Sequence, residues 1–213
     1  MTIRVVCVSD THGRHNAISF VPPGDILIVA GDFTSYGNEG EVARFNNWLI
    51  TLPHKHKIVI AGNHDWFCQR EPARARAALS AAIYLCDQEA YACGLRIYGS
   101  PWQPWFYDWA FNLQRGEEIK RKWDLIPTGI DILVTHGPPS ECGDRTCHDN
   151  RMGCADLREA VLRVKPRFHV FGHNHEGYGQ YQLGATECYN VSTCNSEYEP
   201  VHAPVVIEVE VAK

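Results

Sequence analysis

The sequence has no uninterrupted apolar stretch near the ~18–20 residues that a membrane-spanning helix needs. Its opening run, IRVVCVS, stops abruptly at Asp10 and is too short for a secretory signal with a cleavage site. Neither a membrane partner nor export is therefore expected, and a cytoplasmic setting is. The sequence also lacks any C-x-x-C pair. Its nine cysteines are odd in number, so reduced thiols are expected. Cys142, Cys147, His148 and Cys154 lie near one another, but their spacing matches no standard zinc knuckle and their role stays open. Excess positive charge is missing too: 20 Lys and Arg face 25 Asp and Glu, for a net charge of −5. This argues against a long nucleic acid as partner, because binders of phosphate backbones are usually basic. Internal repeats, low-complexity tracts and linkers are absent, so residues 1–213 are expected to form one domain.

Short β-branched runs are present in number: IRVVCVS (3–9), DILIVA (25–30), KIVIA (57–61), DILVT (131–135) and FHVFG (168–172). They are continuous rather than alternating, as strands buried on both faces are. LRIYG (95–99), CYNVST (188–193) and PVVIEVEV (204–211) read as further strands, the last with Glu208 and Glu210 on a wet face. Amphipathic or alanine-rich segments fall between them, predicting helices over 41–52, 71–83, 117–126 and 154–164. Strands alternating with helices indicate an α/β fold with substantial parallel sheet.

Histidine is plentiful, at eleven residues, and its placement is not random. The first run leads into SDTH, with Asp10 and His12, and the second into GDFTSYG, with Asp32. The third leads into GNHD, with Asn63 and His64, the fourth into HGPP, with His136, and the fifth into GHNH, with His173 and His175. One Asp after a strand is often a helix cap, and one GNH or HG is often a turn. Five such endings at the same end of five strands are not explained that way, and α/β sheets bind ligands at their carboxyl ends. Carboxylates with imidazoles and no thiolate suit Mn²⁺, Fe or Zn²⁺ better than Mg²⁺ or Ca²⁺. Six or seven ligands exceed what one catalytic ion needs, and they suffice for two ions about 3.5 Å apart with an Asp shared between them. Two divalent ions carry about +4, which two aspartates and a bridging hydroxide reduce by about 3, leaving a site that attracts phosphate.

The pattern D-x-H … GD … GNH … H … GH-x-H, in order and over nearly the whole chain, resembles the calcineurin-like metallophosphoesterase superfamily. VSDTHGRH, HKIVIAGNHD, GSPWQPWFYDWAFN, DILVTHGPP, HVFGHNHEGYG and STCN are similar to its metallophosphoesterase-domain-containing branch, grouped with class III cyclic nucleotide phosphodiesterases. The resemblance implies a four-layer αββα sandwich of two mixed β-sheets flanked by helices. It implies that Asp10, His12 and His175 hold one metal, that Asn63, His136 and His173 hold the second, and that Asp32 bridges. His64 would contact the phosphate and protonate the leaving alkoxide. The implied activity is that of a dinuclear, Mn²⁺-first phosphodiesterase acting on small diesters such as 2′,3′- or 3′,5′-cyclic nucleotides. One departure stands out. The second motif, GDFTSYG, lacks the arginine and acid of the GDxxDRG pattern of protein phosphatases, which disfavours a phosphoprotein substrate and leaves His64 without an orienting acid.

On the substrate side, Asn63, His64, Tyr178 and Asn195 are candidate contacts, with Gly177, Ser192, Asn112 and Arg115 behind them. The aromatic stretch 100–112 reads either as a wall for a nucleobase or, as aromatics at such density more often do, as core. Two readings compete with the phosphodiesterase: a phosphomonoesterase or nuclease on the same site, and a noncatalytic nucleotide-binding protein. Nothing in the sequence speaks to oligomeric state.

Overall fold

The computed structural model describes residues 1–211. One sheet is formed by β1 (Thr2–Val8), β2 (Ile26–Ala30), β3 (His56–Ile60) and β4 (Ile83–Tyr84), all parallel, with β13 (Val205–Glu210) antiparallel beside β1. The second contains β6 (Leu95–Ser100), β9 (Ile132–Thr135), β10 (Phe168–Phe171) and β12 (Thr186–Asn190) in parallel. It is flanked by antiparallel β5 (Gln88–Ala92) and β11 (Gly179–Leu183). A small ladder pairs β7 (Gln103–Pro104) with β8 (Asn112–Leu113).

Three apolar layers hold these parts together. Val5, Cys7, Ile26, Ile28, Ile58 and Ile60 meet Ile97, Ile132, Val134 and Val170 between the sheets. The alternate residues of the same strands, Val6, Val8, Leu27, Val29 and Val59, face Val42, Phe45, Trp48 and Leu49 of α1 (Glu39–Thr51). Beyond the second sheet, Leu133 and Phe171 pack with Ile119 and Trp123 of α4 (Glu117–Trp123) and with Leu157 and Val161 of α5 (Ala155–Val164). The result is helix, sheet, sheet, helix, and it explains the unbroken apolar runs: both faces of β2, β9 and β10 are dry. Fully burying one such Ile or Leu contributes roughly 1.5–3 kcal/mol. No helix of the described residues is long and apolar enough to cross a membrane.

The helix expected over 71–83 is the main correction. The chain forms α2 (Trp66–Arg70), breaks at Glu71 (φ −131°, ψ 58°), and runs as α3 only from Pro72 to Ala78. Ile83 and Tyr84 pair instead with Ile58 and Val59 as an edge strand, and the Arg76 guanidinium bonds the Tyr84 carbonyl at 2.6 Å. Pairing to an open sheet edge outweighs alanine's helix propensity here. The β5 and β11 strands were not legible, since their half-exposed alternation is short and polar. The segment expected as strand 188–193 pairs only to Asn190, and its continuation bridges Ser9 to Ser192, carrying the chain toward the strand ends.

The loop between β2 and α1 is held by the helix it leads into. Asn38 and Glu41 form a reciprocal cap at the start of α1, and the Glu41 carboxylate also accepts from the backbone N–H groups of Ser35 (3.1 Å) and Tyr36 (3.1 and 3.3 Å). One carboxylate thus orders both the helix terminus and the backbone before it.

One buried histidine away from the strand ends makes the fold sensitive to acid. The His169 Nε2–H donates to the Thr135 hydroxyl (2.8 Å), which donates to the Gly137 carbonyl (2.8 Å). Burial lowers the His169 pKa from 6.5 to about 3. Below pH 6.5 the unfolded chain takes a proton there that the native chain refuses until about pH 3, so stability must fall as pH drops through that window. The slope is up to about 1.4 kcal/mol per pH unit for one group. Chemical denaturation of metal-free protein at several values between about pH 5 and 7 should show His169→Gln with a shallower pH dependence, by one proton, than wild type. Equal slopes would contradict the assignment.

Candidate metal centre

The site is built where five parallel strands end. β1 leads to Asp10 and His12, β2 to Asp32, β3 to Asn63 and His64, β9 to His136, and β10 to His173 and His175. Four of these residues turn their strand ends with left-handed backbone: Asp10 (φ 51°), His12 (φ 43°), Asp32 (φ 51°) and His173 (φ 66°). Such angles are strained for non-glycine residues and persist only where the surroundings enforce them. Here the enforcement is hydrogen bonding between loops. Asp10 N–H donates to the Gly31 carbonyl (3.0 Å) and His12 N–H to the Asp32 carbonyl (2.9 Å). His173 N–H donates to the Asp10 carboxylate (3.0 and 3.1 Å), as does the Ser192 hydroxyl (2.9 Å). His64 N–H donates to the Asp32 carboxylate at 2.7 Å.

Side chains converge as two overlapping sets. Asp10, His12 and His175 place their ligating atoms within 4.8 Å of one another, and so do Asp32, His136 and His173. The two sets touch: His12 Nε2 lies 3.9 Å and His136 Nε2 3.4 Å from the same Asp32 oxygen, Oδ2. Asn63 Oδ1 joins the second set at 2.9 Å from His136 Nε2. The donor chemistry asks for cations. His175 Nδ1 is turned to the Asn195 carbonyl (2.8 Å) and His136 Nδ1 to the Ala30 carbonyl (2.9 Å), so both spend their N–H outward. Their bare Nε2 atoms then face acceptors: Asp10 Oδ1 at 3.6 Å from His175 and Asn63 Oδ1 at 2.9 Å from His136. Acceptor against acceptor in a buried place is costly unless something positive stands between.

Ionisation of the metal-free site says the same. Burial alone would lift Asp32, yet the rings of His136, His64 and His12 hold it well below the usual carboxylate range. Burial alone would lower His136, but Asp32 raises it to about 9, and His175 is raised through Asp10 against its own burial. His12 and His173, dominated by burial, are pushed down to about 4 and about 3. In each set one imidazole is thus made more basic by the carboxylate beside it, as a place for positive charge would be. The residues present fit a pair of divalent cations.

His64 borders both sets, its ring nitrogen within 4.8 Å of the ligating atoms of His12 and Asp32. Its Nδ1–H donates to the Ser35 carbonyl (2.8 Å), its ring lies 4.2 Å from the Trp109 ring and 4.5 Å edge-on from His12. The orienting group missing from GDFTSYG is thus a backbone carbonyl, fixed in turn by Glu41. Asp65 does not orient His64. Its carboxylate accepts from Thr34 N–H (3.0 Å), the Thr34 hydroxyl (2.6 Å) and Gly62 N–H (2.8 Å), tying two loops together, and burial followed by Asp32 pushes it up to about 7.

Other expected contacts are placed differently. Tyr178 is turned away from the metal donors: its hydroxyl donates to the Ala203 carbonyl (2.9 Å) and its ring stacks on His202 at 4.3 Å. The Asn195 side chain is occupied locally, accepting from Glu197 and Glu199 N–H, and only its carbonyl reaches the site, through His175. Ser192 supports Asp10 rather than facing a substrate. The aromatic stretch divides: Phe111 is core and Trp102 packs partly buried against it, Trp109 packs on His64, and Trp105, Phe106 and Tyr107 stand exposed. Asn112 braces the Phe106 and Tyr107 carbonyls, and Arg115 clasps those of Met152 and Gly153. Among the described residues no metal-capable group includes Cys142, Cys147, His148 or Cys154, and all nine cysteines are free. Tyr198 was missed. Its ring lies 4.7 Å from His12 and 5.5 Å from His175, and its neighbours in sequence carry no motif that marks it.

Gly62 has no room for a side chain, since a Cβ there would collide with the Asp32 carboxylate and sit 2.6 Å from the His136 ring. Gly62→Ala is expected to lower metal affinity by 10-fold or more, on the order seen when groups supporting ligands are lost, while far-ultraviolet circular dichroism stays native. Calorimetric titration with Mn²⁺ checks it, and undiminished affinity would contradict the geometry.

A calcineurin-like phosphoesterase family profile matches residues 3–177. The chain is 47% identical to human metallophosphoesterase domain-containing protein 1, over 97% of this chain and 71% of that protein. It is 43% identical to the Caenorhabditis elegans UPF0046 protein T07D4.2, over 98% of this chain and 60% of the relative. Among solved structures, that of TT1561 from Thermus thermophilus aligns with a TM-score of 0.58 at 15% identity, over 89% of each chain, which is a likeness of fold. Sequence, fold and the clustered carboxylates and imidazoles agree: the chain belongs to the calcineurin-like metallophosphoesterases, a family of phosphoester hydrolases.

Proposed function

We propose that the protein is a dinuclear metal-dependent phosphodiesterase for small diesters, cyclic nucleotides among them, with Mn²⁺ as the first candidate for both ions. The observation that carries this reading is the pair of donor sets meeting at the Asp32 carboxylate, with His64 held beside them by the Ser35 carbonyl. When bound, two divalent cations neutralise charge on the phosphoryl oxygens and lower the pKa of water toward ~7.

Asp10, His12 and His175 would hold one ion, Asn63, His136 and His173 the other, and Asp32 would serve both. His64 contacts the phosphoryl group. Water adds to phosphorus opposite the leaving oxygen and loses a proton to solvent. The phosphorus–oxygen bond to the leaving group breaks, and His64 Nε2–H protonates the departing alkoxide. His64 then recovers a proton from solvent. The Ser35 carbonyl, fixed on Nδ1–H, leaves Nε2 as the working nitrogen. Absence of an arginine from GDFTSYG favours a diester over a phosphomonoester. Nine unpaired cysteines fit a cytoplasmic setting.

Chelation should abolish hydrolysis of bis(4-nitrophenyl) phosphate, and Mn²⁺ should restore it. Equal turnover by metal-free protein would refute the reading. With 2′,3′-cyclic AMP, whose leaving alkoxide needs a proton, His64→Gln should cut kcat by about 10²–10⁴-fold, the usual contribution of a general acid, while metal content by elemental analysis stays at the wild-type level. A variant that retains kcat, or that loses its metals, would remove His64 from the acid role.

A further inference from the structure

The two donor sets are not supported alike. In the set of Asp32, Asn63, His136 and His173, the His136 ring is fully buried and its Nδ1–H donates to the carbonyl of Ala30, the last residue of β2. That support belongs to the sheets. In the set of Asp10, His12 and His175, two imidazoles lean on a surface turn instead. The Asn195 carbonyl accepts from the His175 Nδ1–H (2.8 Å) and from the Tyr198 N–H (3.0 Å), so one atom ties a ligand to the turn. The turn is braced from within. Asn195 Oδ1 accepts from the Glu197 and Glu199 N–H groups (3.0 and 2.9 Å), and Cys194 bridges to Pro200.

His12 is the less secured of the two. A metal-bound histidine ordinarily donates its second N–H to a fixed acceptor, which sets the orientation of the ring. The His12 Nδ1 is buried and meets no partner among the described residues. Packing has to hold this ring. Tyr198 stands edge-on to it at 4.7 Å, with 85° between the planes, and His64 stands edge-on at 4.5 Å. Tyr198 also meets His175 edge-on at 5.5 Å. The rings Tyr198 meets thus include both imidazoles of one set and neither of the other. Its backbone is left-handed (φ 62°) although 41% of the residue is exposed. Such an angle is costly for a bulky side chain, and glycine or asparagine would serve a plain surface turn better. Strain of this kind collects where a side chain is wanted for what it reaches.

Resting on the two-cation part of the phosphodiesterase reading, we propose that Tyr198 is a positioning residue for one cation only. By fixing the His12 and His175 rings it raises affinity at the site of Asp10, His12 and His175, and it leaves the site of Asn63, His136 and His173 unchanged. The two sites are therefore unequal. The one backed by the sheets fills first, and the one beneath the turn fills second and exchanges more readily. Tyr198 takes no part in bond making.

The test is a titration of chelator-treated protein with Mn²⁺, followed by calorimetry and by electron paramagnetic resonance. Wild type takes up two ions in two steps. Tyr198→Ala weakens the second step roughly 10-fold to 100-fold, the usual loss when a group supporting a ligand is removed, and leaves the first within about twofold. At the Mn²⁺ level that saturates wild type, the spin-coupled signal of a metal pair gives way in this variant to that of an isolated ion. Tyr198→Phe, which keeps the ring, retains both steps. Equal loss at both steps, loss confined to the first, or no loss overturns the proposal. So does failure of Tyr198→Phe to retain the second step, or uptake of two ions by wild type in a single step. Each of these leaves two cations in wild type and the phosphodiesterase reading intact. A wild type that binds one ion or none overturns both.

Discussion

A single buried carboxylate organises this molecule. Asp32 is almost fully enclosed, yet it stays ionised because imidazole rings surround it and the His64 N–H donates to it. An ionised carboxylate in a dry interior is tolerable only with compensating positive charge. Without metals, Asp32 and Asp10 draw His136 and His175 toward protonation against their own burial. The positions that attract those protons are the ones a divalent cation would take, since the Nε2 atoms facing inward have had their tautomers set by carbonyls behind them.

Much of the rest of the fold serves that arrangement. Parallel strands buried on both faces bring five loops to one end, and the two sheets contribute different members: Asp10, His12, Asp32, Asn63 and His64 from one, His136, His173 and His175 from the other. Each donor set draws members from both sheets, so the inter-sheet apolar layer holds each set together, and its stability is stability of the site. Left-handed backbone at Asp10, His12, Asp32 and His173 is the strain this imposes, offset by hydrogen bonds running from loop to loop. Glycines 62 and 172 sit where the Asp32 and Asp10 carboxylates leave no space for another atom.

What could be read in the sequence was the chemistry that side chains announce. The five runs and the polar residues after them are legible because continuous apolar strands and their endings are local patterns. The layers follow from their number and the helices between them. What escaped is chemistry carried by the backbone or by distant packing. Ser35 orients His64 through a carbonyl, which no residue type signals. Asn195 acts through its carbonyl on His175 while its amide is engaged locally. Tyr178 lies close in sequence to His175, on a loop that enters the site, but stacking on His202 draws it off. Tyr198 reaches His12 and His175 from a bend whose left-handed residue is Tyr198 itself (φ 62°). The alanine-rich segment after Pro72 shows the same limit for secondary structure, since its end was claimed by a sheet edge that only the folded chain possesses.

The central claim is that Asp32 joins two cation sites into one. Elemental analysis of Mn²⁺-loaded protein after exhaustive desalting, wild type beside Asp32→Asn, addresses it most directly, because removing the shared charge should weaken both sites together. Two manganese ions per wild-type chain, with both largely lost in the variant, is the expected result. One ion or none in wild type, or two retained by Asp32→Asn, would contradict it.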